Sequence, residues 1–134
     1  QQRYRSVFAA MPLAMEVEVG ERSIGLIHAD CPEDDWISLQ ARLASGELAP
    51  CRSGQTVRHE ALWSRQRLRG EPRQRVAGID MLCVGHTPVQ LARQRDNVLY
   101  LDTGAVYGRA LTLLCLNDMS IHTLACDECA FPDD

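Results

Sequence analysis

Two short apolar runs, each leading to a histidine, constrain the fold of this chain more than any other feature. The first run covers residues 24–27 and ends at His28, and the second covers residues 81–84 and is followed by Gly85 and His86. Apolar runs of this length are typical of strands buried on both faces, as in layered α/β domains. Loops at strand ends often carry catalytic or metal-binding side chains. The pair therefore predicts an α/β fold with one site built from two loops; the alternative is two ordinary hydrogen-bonded histidines at strand ends.

Local sequence signals predict two helices between the histidine runs. The carboxylates of Asp34 and Asp35 suit the positive N-terminal end of a helix, which is predicted over 36–43. Ser45 and Gly46 would end this helix. A second helix is expected over 56–68, with Ser53 as its cap. Residues 1–10 are expected to end a helix or linker.

Strands are expected on both sides of these helices. Alternation over 13–19 and the apolar run that ends at residue 27 predict a hairpin with Gly20 and Glu21 in its turn. Further strands are expected over 81–84, 98–102, 111–116 and 120–124. A loose tail is expected over 125–134.

Composition limits the classes of function. With 134 residues the chain is at most one domain, and it has no apolar run long enough to span a membrane. Its formal net charge of -4 gives no bulk attraction to nucleic acid or to an anionic membrane, so we expect neither partner. An arginine-rich nucleic-acid binder built around residues 58–75 is therefore a weak alternative. All 14 basic residues are arginines, whose planar forks suit phosphate and carboxylate groups.

Six cysteines occur without any sign of a secretory signal, so we expect free thiols and a cytoplasmic location. Cys83 and Cys115 lie in apolar strand patterns, which is typical of small buried residues. Cys126 and Cys129, with His122 nearby, have zinc-ligand spacing. A complete zinc site needs four ligands, and no second cysteine pair follows, so incidental thiols in a loose tail are the preferred interpretation.

Four motifs occur in an order that resembles a known enzyme family. They span most of residues 10–124, and they are His28-Ala29-Asp30-Cys31-Pro32, Leu62-Trp63-Ser64-Arg65, Gly85-His86-Thr87-Pro88 and Leu101-Asp102-Thr103-Gly104-Ala105-Val106-Tyr107-Gly108. The series resembles the bacterial and phage serine/threonine protein phosphatases of the lambda type, within the calcineurin-like metallophosphoesterases. The fold that this resemblance implies is a partial αββα sandwich.

The family's first three motifs are absent from this sequence. They are Gly-Asp-x-His-Gly, Gly-Asp-x-x-Asp-Arg-Gly and Gly-Asn-His-Glu, and the chain contains neither a Gly-Asp nor an Asn-His dipeptide. The resemblance therefore implies a single-domain fragment over 1–134 whose N-terminal half is missing. In the family those motifs supply the bridging aspartate and the groups for proton transfer, so no proton-transfer residue is expected here. We expect the fragment alone to be inactive and the N-terminal half to be its partner.

The resemblance also implies roles for particular residues. His28 and His86 would bind one of two divalent metal ions, most plausibly manganese, with iron or zinc as alternatives. Arg65 would bind the substrate phosphate, and Tyr107 would line the pocket. Arg67 is expected in a salt bridge. Asp102 has two interpretations, as a support of the metal ligands or as part of a simple turn, and the turn is preferred.

The function implied for the parent protein is metal-dependent hydrolysis of phosphate monoesters. The preferred substrate is a protein phosphorylated on serine or threonine, and small phosphoesters are also possible. One alternative is a symmetrical diadenosine tetraphosphate hydrolase. The other is a degenerate, non-catalytic binding module that keeps the fold.

Overall fold

In the computed structural model, residues 2–70 and 75–126 are described, and they form a mixed α/β structure. A five-stranded sheet has the order β1-β2-β3-β5-β4, and a separate two-stranded hairpin follows it. The strands are β1 (Ala14–Val19), β2 (Arg22–Ile27), β3 (Met81–Val84), β4 (Arg93–Arg95), β5 (Val98–Tyr100), β6 (Ala110–Leu114) and β7 (Ile121–Ala125). The helices are α1 (Gln2–Ala10), α2 (Trp36–Ser45), α3 (Val57–Trp63), α4 (Gln66–Arg69) and a 3-10 turn (Ala105–Tyr107).

The sheet places the two histidine loops side by side. β2, β3 and β5 are parallel neighbours, while β1 and β4 run antiparallel at the two edges. In the register, Ile27 pairs with Val84, and Val84 pairs with Tyr100. Because parallel strands end at the same edge of a sheet, the loops after Ile27 and Val84 leave together. The predicted hairpin, the buried strands and the α/β class are confirmed, and the structure adds that these strands are parallel.

Each face of the central strands has its own core. Trp36, Leu39 and Ala61 lie fully buried on the helix side, together with the alternate strand residues Leu82 and Val98. The opposite face is smaller, with Ile24, Cys83 and Leu99 against the β6–β7 hairpin. The two-residue period of a strand explains why neighbouring apolar residues enter different cores.

The predicted helix over 56–68 is wrong, because the chain forms two helices there. Ser64 has an extended backbone between α3 and α4, and its hydroxyl donates to the Asp30 carboxylate at 3.3 Å. That tertiary hydrogen bond competes with continued helix. The cap is Thr56, whose hydroxyl accepts the His59 N–H at 3.2 Å; Ser53 instead donates to Glu60 at 2.5 Å.

The C-terminal predictions need two corrections. β4 was not expected, because its sequence Arg93-Gln94-Arg95 has no apolar residue and owes its strand form to pairing with β5. The loose tail does not begin at residue 125. Ala125 pairs with Ala110, and the Cys126 N–H donates to the Arg109 carbonyl at 2.8 Å. The rest of the predicted tail lies outside the described residues.

Among the described residues, no helix has the length and apolar character needed to cross a bilayer. The five described cysteines are free thiols. Burial raises the pKa of Cys31 to about 12 and that of Cys83 to about 11. Such thiols hold their protons at neutral pH, so these two cysteines serve as packing residues.

The helix α2 depends on a carboxylate cap. Asp35 accepts the Ser38 N–H at 2.7 Å, and this contact lowers the pKa of Asp35. The hydroxyl of Ser38 contributes more to this lowering than its N–H does. We expect Asp35→Ala to reduce the free energy of unfolding by about 1 kcal/mol, and Asp35→Asn by only a few tenths. A carboxyl with a lowered folded pKa contributes stability above its unfolded pKa of about 3.9 and loses it as the pH falls. Urea unfolding at several pH values checks this, and an Asp35→Ala deficit that grew at acid pH would contradict it.

Candidate functional site

Two tilted imidazoles form the centre of the candidate site. The His28 and His86 rings lie with their centroids 5.1 Å apart and their planes at 57°. His28 follows β2 directly, and its carbonyl accepts the Gly85 N–H at 2.9 Å. That single hydrogen bond joins the two loops at the level of the histidines. The structure therefore brings together the two residues that the sequence singled out.

The backbone of His86 is strained. Its φ of 62° lies in the left-handed region, which residues other than glycine seldom occupy. The Thr87 N–H donates to the Gly85 carbonyl at 2.6 Å and closes a tight turn around it. Strain of this kind persists only where the surrounding structure enforces it, and it is concentrated at functional sites.

Charged and titratable side chains lie around His86. Arg65 directs its Nε–H towards the His86 Nε2 atom at 3.5 Å. Partial burial, then the nearby His28 and Arg65, lower the pKa of His86, and they outweigh the opposite effects of a hydrogen bond with the Trp63 backbone and of the Asp102 carboxylate. His86 is consequently held in its neutral form, which is the form that binds metal ions and accepts hydrogen bonds.

Trp63 is a part of the site to which the sequence analysis assigned no role of its own. Its indole meets the His86 ring edge-on, with centroids 5.5 Å apart and an angle of 88°. The side chain is 60 % exposed, which is unusual for so large an apolar group. Its position two residues before Arg65 was the sequence feature that could have indicated a role in the site.

A buried ion pair holds the site together. Asp30 and Arg67 are both at most 5 % exposed, and the Arg67 Nε–H donates to Asp30 Oδ1 at 2.6 Å. The Arg67 guanidinium also donates to the Cys31 carbonyl at 2.7 Å and pairs with Asp34. The expected salt bridge of Arg67 is confirmed. It ties the loop that carries His28 to the segment that carries Arg65.

Two other predicted residues come from the segment after β5, and the charge of one of them, Asp102, acts on His86. Asp102 accepts the Gly104 N–H at 2.9 Å, and Gly104 has a φ of 80°, so the preferred turn interpretation is confirmed. Tyr107 lies in the 3-10 turn and is 67 % exposed. Its ring makes no described contact with either histidine.

An apolar groove of about 710 Å³ runs up to the site. It lies between α1 and the face of the sheet opposite the helices, and its lining includes Phe8, Met11, Leu26, His28, Trp63 and Cys83. Phe8 and Met11 are more than half exposed. No sequence pattern predicted the groove, because the groove depends on how α1 lies over the sheet.

The imidazoles do not make a complete metal site in the described part of the chain. Within residues 2–70 and 75–126, no three histidine, cysteine or acidic side chains converge as a ligand group. His122 is exposed in β7 with its ring nitrogen 3.2 Å from the Ser120 hydroxyl, while Cys129 lies outside the described residues. Among the described residues, His28 and His86 are therefore a pair of neighbouring imidazoles without a third such side chain beside them.

Comparison with known proteins gives a match to part of the chain. No family model matches the sequence. Over 55 residues the chain is 47 % identical to serine/threonine-protein phosphatase 1 of Salmonella typhimurium strain LT2. The match covers 41 % of this chain and 25 % of that protein. A short region of the chain is thus similar to a phosphatase, which points weakly to a hydrolase.

We expect the buried ion pair to dominate the stability of the site. Asp30→Asn or Arg67→Met should each reduce the free energy of unfolding by about 3–5 kcal/mol, because each leaves one buried charge without its partner. The double variant should lose less than the two single losses added, by about 0.5–3 kcal/mol. Denaturant unfolding measures all three. The matched control is Arg69→Met on the same helix, whose exposed side chain should cost under about 0.5 kcal/mol; strictly additive losses would contradict the coupling.

Proposed function

We propose that this chain contributes part of the active site of a metal-dependent phosphatase with a calcineurin-like fold, acting on serine/threonine phosphoproteins. The observation that carries the proposal is the convergence of His28, His86 and Arg65 at the carboxyl edge of parallel strands. The partial similarity to a phosphatase supports the same chemistry. Open α/β sheets bind their ligands at this edge.

The separation of the two imidazoles supports a shared divalent cation. Imidazole nitrogens bind such ions at about 2.1 Å, so two rings on one ion at a near-tetrahedral angle have centroids about 5 Å apart. The observed centroid distance of 5.1 Å is compatible with that value. The lowered pKa of His86 keeps its ring neutral, as a ligand must be. Since two protein ligands hold a metal weakly, further ligands must come from outside the described residues.

Divalent ions in such a site supply a nucleophilic hydroxide at neutral pH and neutralise charge on phosphoryl oxygens. The chain's own residues bind and orient the phosphate. Arg65 is exposed, so its fork can turn from His86 to two oxygens of an anion bound beside the imidazoles. Its hydrogen bonds strengthen as negative charge develops on those oxygens. Trp63 restricts the His86 ring from one side.

Manganese binding can be tested without any activity assay. In a titration with Mn²⁺ followed by proton NMR, paramagnetic broadening should reach the imidazole signals of His28 and His86 before those of His59 and His122. His86→Gln should remove the selective broadening at His28, because one imidazole alone binds the ion too weakly. His59→Gln is the matched control, since His59 is exposed on α3 away from the pair. Equal broadening at all four histidines would count against the metal site.

Phosphatase activity tests the rest of the proposal. Mn²⁺-dependent hydrolysis of p-nitrophenyl phosphate should be absent with this chain alone and present when it is mixed with a chain that supplies the family's three N-terminal motifs. In that mixture Arg65→Gln should reduce kcat/KM by about 10²–10³, as for loss of one donor to a developing oxyanion, and Arg65→Lys should restore part of it. Arg58→Gln, an exposed arginine on α3, should change little. No activity in the mixture would favour a degenerate binding module, and activity of the chain alone would refute the assigned roles.

A further inference from the structure

Charge is distributed very unevenly along this acidic chain. Residues 58–95 contain eight of the 14 arginines but three of the 18 acidic residues, which gives that segment a formal charge of +5. The remainder of the chain carries -9. The chain therefore contains a strongly basic segment although its net charge is -4. Where this segment lies on the surface depends on the fold.

The fold places exposed arginines along one side of the candidate site. Tyr100 of β5 pairs with Val84 on one side and with Arg93 of β4 on the other. Neighbouring strands lie about 4.8 Å apart, so the Arg93 backbone is about 10 Å from the point where β3 leads to His86. Because β4 is antiparallel to β5, it begins at the same sheet edge as the histidine loops.

The same arginines lie beside α4 on the helix side of the sheet. Arg93 and Arg95 pair with Tyr100 and Val98, whose side chains belong to the helix-side core. The Arg95 guanidinium donates to the Leu68 carbonyl of α4 at 3.1 Å. We call these exposed side chains the arginine rim, and its members are Arg65, Arg69, Arg93 and Arg95.

The rim has no neutralising partners within the described part of the chain. There, carboxylates form ion pairs with Arg42 and Arg67 and with no rim arginine. Asp30 and Asp34, the two acidic side chains in ion pairs with α4, are both bound to Arg67. Four exposed guanidinium groups without described acidic partners make a surface suited to binding carboxylates or phosphates.

We propose that the arginine rim binds acidic residues that flank the phosphorylated residue of a protein substrate. The inference rests on the proposed function for the position of the phosphorylated residue beside His86. The step of about 10 Å from the histidine loop to Arg93 equals about three residues of extended peptide. The rim therefore selects an acidic side chain about three residues from the phosphorylated one.

A peptide fits this surface better than a nucleic acid. A short peptide crosses only the rim and the histidine site. A longer polyanion would also extend over the rest of the molecule, whose -9 formal charge repels it.

The test uses fluorescence anisotropy with this chain and four labelled peptides of equal length. A central phosphoserine or serine is combined with aspartates or asparagines about three residues to either side. The acidic flanks should improve affinity, and this preference should fade as salt rises from about 50 mM, because exposed charge pairs are screened. Arg93→Gln should weaken binding of the acidic peptides by about two- to fivefold, with Arg93→Lys retaining most of the effect.

Arg22→Gln is the matched control. It removes the same charge from an exposed arginine at the opposite end of β2, about 17 Å from Ile27. Equal weakening by Arg93→Gln and Arg22→Gln would show bulk charge alone and overturn the proposal, as would a flank preference that Arg93→Gln leaves intact. Arg93-dependent binding of an oligothymidylate more tightly than any peptide would also overturn it, in favour of nucleic acid.

The design separates this inference from the proposed function. If peptide affinity depends on the central phosphate and this dependence is lost in Arg65→Gln, the phosphate site is supported. If peptide affinity depends on the acidic flanks and this dependence is lost in Arg93→Gln, the rim is supported. A flank preference without any phosphate preference would refute the phosphate site and leave the rim; the reverse result would refute the rim alone.

Discussion

The buried Asp30–Arg67 ion pair is the contact on which the candidate site depends. It removes two charges from water, which is costly unless their hydrogen bonds are well satisfied. Arg67 meets that condition with the Asp30 carboxylate, the Cys31 carbonyl and Asp34. The result is a rigid tie between the loop after β2 and the start of α4. The Ser64–Asp30 hydrogen bond and the edge-on contact of Trp63 with His86 hold the Arg65 segment in the same place.

This tie also explains the irregular backbone around the site. Ser64 leaves the helical conformation where its hydroxyl reaches Asp30, so α3 ends and Arg65 is presented at the turn. On the other loop, His86 takes a positive φ beside Gly85, whose N–H is bound to the His28 carbonyl. Local propensity is overridden at both places by tertiary hydrogen bonds. Such conflicts between local and global preference are expected at functional sites.

Two kinds of surface meet at the imidazoles. An apolar groove under α1 approaches from one face of the sheet, and the arginine rim lies on the other. The groove leaves large side chains such as Phe8 exposed, which is costly in water unless something covers them. An anionic, phosphate-bearing ligand would meet the rim and Arg65 first, since exposed positive charge acts at longer range than apolar contact.

The sequence by itself determined the α/β class, the hairpin of β1 and β2, and the buried strands that end at His28 and His86, because the period of apolar residues is a local property. The salt bridge of Arg67 was expected from the family resemblance. The sequence did not indicate the end of the helix at Ser64, and it left two interpretations of Asp102 open. Only the tertiary structure decided that β4 is a strand, that Asp30 is the partner of Arg67, and that Arg93 and His86 lie at one sheet edge. Those features depend on strand order and on contacts between residues far apart in sequence. Neither local strand propensity nor the spacing of motifs predicts which strands become neighbours.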